Sequence, residues 1–212
     1  MGWAIANNVT LLASGIHDLA QGSSGSGIYQ GGLKILDFTY RENGSKLVKS
    51  KLKAAKQKEG SELKRVKLDS FYLFEDLTKY SKIELKPGSN HVSLNYGDFA
   101  CEIHYEAKNH EHFHALIYNG NRTFAAGKFS AQIQVCGIAP KELNSSQNVE
   151  FRRLKVSGRF SQHSIPMPVS LDENLLPFFD FEYTKSKENL ATMELKTTHN
   201  LFSFALYARK MK

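Results

Sequence analysis

From Leu33 to the end of the chain, apolar and polar residues alternate in short runs, and this period of two constrains the fold more than any other feature. The runs fall at 33–40, 66–74, 82–86, 91–96, 99–106, 112–118, 122–136, 149–157, 178–184, 190–197 and 200–208. Strands this closely spaced, with no long helical pattern between them, predict a mainly β chain. The expected architecture is an antiparallel β-sandwich or jelly-roll-like domain. Pro87-Gly88-Ser89-Asn90 and Asn119-Gly120-Asn121 read as hairpin signals. Val149 and Phe151 have the opposite parity to Leu154 and Val156, so a bulge at Arg152-Arg153 is needed to keep all four apolar side chains inward.

Two stretches depart from this pattern. In residues 3–19, Ile5, Val9, Leu12, Ile16 and Leu19 recur at steps of four, three, four and three, the spacing of one helical face. A Gly/Ser-rich hinge follows, so residues 1–32 are expected to form an amphipathic helix on a flexible connection, and 33–212 a single β-rich domain. The helix would contact another subunit or a membrane interface. The second stretch is the basic segment 45–67, expected to form a short helix over its first part. It holds Lys46, Lys49, Lys51, Lys53, Lys56, Lys58, Lys64, Arg65 and Lys67 against Glu59 and Glu62. Nine basic residues less two acidic ones account for the whole net charge of +7. A local excess of lysine attracts polyanions by releasing counterions. With no aromatic interleaved, phosphate or anionic-lipid contact is favoured over base stacking. Arg152, Arg153, Lys155 and Arg159 would extend that surface.

The segment 102–114 gathers half of the eight histidines with three glutamates. If 99–105 and 113–117 form a hairpin with both apolar sets on one face, Tyr105 opposes Phe113 and the turn centres on Asn109. His104 then opposes His114, and Glu106 opposes His112, on the other face. Directly opposed side chains have Cβ atoms about 4.5–5.5 Å apart, so these four could share a zinc ion. The competing reading is a solvated polar face. No other cofactor is expected.

Cys101 and Cys136 are too few for a disulfide framework, and their apolar surroundings suit buried neutral thiols. No window approaches the roughly 18–20 apolar residues of a spanning helix, and the N-terminus lacks a signal-peptide pattern. These features predict an intracellular, cytoplasmic protein, with the helix offering a route to membrane association; secretion with the signal removed is the alternative. Asn8, Asn43, Asn121 and Asn144 open Asn-X-Ser/Thr sequons, which in a cytosolic chain are chance.

No P-loop, nucleophile elbow, paired-cysteine metal motif or His-Glu-X-X-His is present. The chain is therefore expected to be non-enzymatic. The leading expectation is a self-associating assembly protein of viral capsid, matrix or movement type that binds nucleic acid or another polyanion. Two alternatives stand beside it: a membrane-peripheral or membrane-active protein using the helix and lysines, and a metal-binding sandwich using the histidine-rich hairpin.

Overall fold

The computed structural model describes residues 1–18, 23–31, 34–38, 47–51, 76–108, 113–124, 127–142, 149–173 and 178–210. The chain divides into two compact units, Met1–Phe74 and Glu75–Lys212. The division lies well beyond the expected boundary at residue 33.

In the first unit the helix α1 spans only Gly2–Asn7. Asn8 ends it in the left-handed conformation at φ 50°, and the backbone amides of Asn8 and Val9 cap the Ile5 and Ala4 carbonyls. The chain then extends, because β-branched Val9 and Thr10 lose rotamer freedom in a helix and because a strand partner is available. β1 (Leu11–Ala13) pairs with β4 (Gly27–Gln30), which pairs with β5 (Lys34–Phe38). Between them β2 (His17–Asp18) pairs with β3 (Ser23–Ser24). The expected amphipathic helix over 3–19 is thus corrected. Ile5 is half-buried in α1, Val9 follows the helix, Leu12 is 72% exposed on β1, and Ile16 is 80% exposed beyond it. They form no common stripe; Leu19 lies outside the described residues. Leu47–Lys51 is irregular rather than helical, with Leu47 exposed.

The described residues of the second unit form ten antiparallel strands. They are β6 (Ser81–Glu84), β7 (Gly88–Tyr96), β8 (Phe99–Ala107), β9 (Phe113–Phe124), β10 (Phe129–Pro140), β11 (Val149–Arg159), β12 (Ser164–Asp172), β13 (Phe181–Lys185), β14 (Leu190–Leu195) and β15 (His199–Lys210). One layer runs β7-β8-β11-β14-β13 and the other β12-β15-β10-β9-β6. They meet at a corner where the first residues of β11 pair with those of β15, Val149 opposite Leu201 and Phe151 opposite His199. Further along, β11 exchanges β15 for β14 as its neighbour. This is the mainly β, antiparallel sandwich that the alternation predicts. The bulge is also present: the β8–β11 register shifts between Phe151 and Arg153. Val149, Phe151, Leu154 and Val156 are all buried, and both arginines are exposed.

Inward-facing side chains fill the space between the layers. Phe113 meets Phe151 edge-on at 6.0 Å between ring centroids, and Phe181 meets Phe204 at 5.5 Å. At the centre, Cys101 of β8 and Cys136 of β10 form a disulfide, with their Cα atoms 5.5 Å apart. Sheets usually stack about 10 Å apart, so the layers approach closely here. Small neighbours on one side permit it: Gly158 flanks Cys101, and Ala191 lies beyond Gly158. A Cβ on Gly158 would sit 2.9 Å from the Phe160 ring. The expectation of two free buried thiols is corrected accordingly.

β12 carries Pro166 and Pro168 and has no counterpart among the expected strands. Among the described residues it pairs with β15 alone. Proline cannot donate to a ladder, and an outer strand leaves half of its amides without a partner strand. Asn119-Gly120-Asn121, expected as a turn, lies inside continuous β9; the reversal comes later, at Gly127 with φ 89°. The expected strand 66–74 lies outside the described residues.

Candidate functional site

The register of the first layer determines what its solvent face displays. Outward residues line up in rows across the strands. His91, His104, Lys155, Glu194 and Glu182 form one row, and Ser93, Glu102, Ser157, Thr192 and Thr184 the next. Beside them, Ser89, Glu106 and Arg153 face the same way. An open groove of about 720 Å³ runs over this face, lined by His91, His104, Arg152, Arg153, Lys155, Glu194 and Lys196 among others.

Within it, the imidazoles of His91 and His104 stack at 4.2 Å between centroids, 15° from parallel. His91 Nε2 lies 2.5 Å from Glu102 Oε2, and Ser93 Oγ donates to Glu102 Oε1 at 2.7 Å. Burial pushes the Glu102 carboxyl up, but the Ser93 hydroxyl and the His91 ring outweigh it and hold the group below the usual carboxylate range. Most cations here have carboxylate partners. Arg152 reaches Glu106 at 3.3 Å and Glu150 at 4.0 Å; Lys155 reaches Glu194 at 3.4 Å and Lys196 reaches Glu182 at 3.7 Å. Arg153 makes no ion pair with a described residue. Among the described residues the groove is thus a polar, solvated face with one uncommitted guanidinium, able to hold a carboxylate or phosphate oxygen by Arg153.

This geometry corrects the histidine hairpin. β8 lies between β7 and β11, so neither of its edges is free for β9. The tight turn is at Gly97-Asp98, which sets Tyr96 opposite Phe99 and makes β7 the hairpin partner. His104 opposes His91 and Lys155 rather than His114. Glu106 opposes Ser89 and Arg153. His114 belongs to the other layer, paired with Ala139 and Glu84. Burial, with Lys82 and Lys141 nearby, lowers its pKa against the pull of Glu84. His112 lies outside the described residues. His104, Glu106 and His114 therefore do not converge, and among the described residues no cluster of three or more metal-ligating groups exists.

The basic segment is only partly within view. Lys49 and Lys51 are exposed in an irregular stretch, whereas Lys46, Lys53, Lys56, Lys58, Lys64, Arg65 and Lys67 lie outside the described residues. The second cluster is interleaved with carboxylates rather than bare, since Arg152, Lys155 and Arg159 all have acidic partners. No described helix is long and apolar enough to cross a membrane. In sequence, the interleaving was legible only as separate glutamates; His91, which stacks on His104, carried no local signal at all.

Residues 71–212, two thirds of the chain and the whole of the disulfide-bridged sandwich, match the family of the Vanin C-terminal domain. The chain belongs to this family. It is also similar to Vanin-like protein 2 of Drosophila melanogaster, 34% identical over 115 residues, covering 49% of this chain and 22% of that protein. The chain thus spans about a fifth of that relative's length. A vanin C-terminal domain is not a viral capsid, matrix or movement protein, and the expectation of a nucleic-acid-binding assembly protein is overturned by this membership. The lysine excess that suggested it lies at 45–67, outside the span matched by the vanin family.

Proposed function

We propose that this chain supplies a non-catalytic β-sandwich module of a vanin-type protein, working in an oxidising compartment. The Cys101–Cys136 disulfide carries this reading. Both cysteines of the chain are consumed by it, which leaves no thiol nucleophile. A disulfide between two sheet centres persists where the surroundings are oxidising and is rare in a reducing cytosol. This replaces the cytoplasmic expectation. Vanin-family membership suggests an association with pantetheine hydrolysis, a nitrilase-related amide cleavage. In this reading the chain contributes stability and surface to such a protein rather than reacting groups.

The test is an assay of the purified 212-residue chain against pantetheine, following release of the aminothiol product. No release above the buffer blank is expected. Turnover that scales with protein concentration and is lost on heat denaturation would overturn the non-catalytic reading.

A further inference from the structure

We propose that Asn121 is a site of N-linked glycosylation. The inference rests on the oxidising-compartment reading, because the transferase that acts on Asn-X-Ser/Thr works where disulfides form. Asn121-Arg122-Thr123 satisfies the sequon, with no proline at the middle position.

The geometry singles out this asparagine. β9 emerges from the sandwich over these residues. Asn119, two positions earlier on the same side of the strand, has its Oδ1 buried without a partner among the described residues, whereas Asn121 and Thr123 are exposed. The Asn121 carbonyl accepts the Tyr118 hydroxyl at 2.8 Å, which fixes the backbone. Its carboxamide forms no hydrogen bond with a described residue and is free to carry a bulky, hydrated group on the exposed side of the strand. Arg122 lies on the opposite side, its guanidinium 5.1 Å from the Phe124 ring centroid, and leaves the sequon face open. Asn8 is exposed in the other unit, and Asn43 and Asn144 lie outside the described residues. Among the described sequon asparagines, Asn121 alone has its exposure fixed within the sandwich that also holds the disulfide.

The donor is an oligosaccharide joined through diphosphate to a lipid. The carboxamide nitrogen bonds to the anomeric carbon and loses one proton. The anomeric carbon–oxygen bond breaks, and the lipid diphosphate leaves with the electron pair. No electron donor or acceptor is involved.

The test is expression of the whole chain behind a secretion leader in eukaryotic cells, followed by peptide mass spectrometry without reduction. Expected is a glycopeptide containing Asn121. Treatment with peptide-N-glycosidase in heavy-oxygen water should convert that asparagine to an aspartate carrying the label. Thr123→Ala should abolish the modification, and Thr123→Ser should retain it. An unmodified Asn121 peptide beside linked Cys101 and Cys136 would overturn this proposal and leave the compartment reading standing. Free Cys101 and Cys136 in the same secreted sample would instead sink the compartment reading, whatever the state of Asn121. Since the wild-type peptide is scored directly, the outcome does not depend on the variants folding.

Discussion

The phenol of Tyr183 on β13 donates a 2.6 Å hydrogen bond to the carbonyl of Pro166 on β12, joining the outer strands of the two layers on one side of the sandwich. Burial raises this phenol's pKa to about 12, against an ordinary value of about 10. The folded chain therefore holds a proton that the unfolded chain gives up. The stabilisation is complete below about pH 10 and is lost as pH rises towards 12. With allowance for solvent screening of a partly exposed group, stability should fall across that window by an amount on the order of 2 kcal/mol, read from chemical-denaturation midpoints. Tyr183→Phe should flatten the decline, leaving the smaller share due to buried Tyr105 and half-buried Tyr29, whose pKa values are also raised by burial. An unchanged alkaline slope in the variant would contradict this account.

Glu102 acts at the acid end. Its folded pKa lies below the unfolded one, so its contribution is present above the usual carboxylate range and lost as pH falls through the folded value. The side chain is 41% exposed, and the effect should stay under about 1 kcal/mol. Glu102→Gln should lower the urea midpoint slightly at neutral pH and not at all at strongly acid pH. A deficit that persists in acid would point to packing instead.

Gly158 opposes Cys101, beside the disulfide that joins the layers. Because an added Cβ would meet the Phe160 ring at 2.9 Å and Cys136 Cβ at 3.5 Å, Gly158→Val should cost about 1–3 kcal/mol through overpacking. Equal thermal midpoints for variant and parent would show that the layers can separate there without penalty.

Core burial offers a sharper contrast. Phe204 is fully buried and edge-on to Phe181, so Phe204→Ala should cost about 3–5 kcal/mol. Leu190, 40% exposed at the start of β14, should tolerate alanine within about 0.5 kcal/mol. Comparable losses at both positions would contradict the placement of the core.

Alternation in the sequence made the sandwich and the Arg152-Arg153 bulge legible, because burial on one face writes a period of two directly into the residues. Pairing was much less legible. The apolar odd positions of β8 and β9 match well as a hairpin, yet the chain crosses between layers there, and local periodicity carries no record of which sheet a strand enters. The helical spacing from Ile5 to Ile16 was a coincidence of apolar residues in a short helix, a strand and the irregular residues after each; Asn8 in the left-handed region interrupts it. The prolines of β12 hid an outer strand. For the disulfide, Cys101 and Cys136 sit in apolar alternation that looks the same whether the sulfurs are bonded or free, and their separation of 35 residues gives no geometric hint. At the candidate groove, His104 and Arg153 could be placed outward from sequence, but their neighbours His91 and Glu194 came from strands that only the fold brings beside them.

The disulfide is the most direct test of the account as a whole. Closing a loop of 35 residues stabilises a chain by roughly 3–4 kcal/mol in the loop-entropy picture. The decisive measurement is peptide mapping of the natively isolated protein, alkylated before any reduction. A single cross-linked species containing Cys101 and Cys136 is predicted, together with a large drop in thermal midpoint on reduction. Quantitative alkylation of both cysteines in the folded, unreduced protein would contradict the inter-sheet bridge and the oxidising-compartment reading built on it.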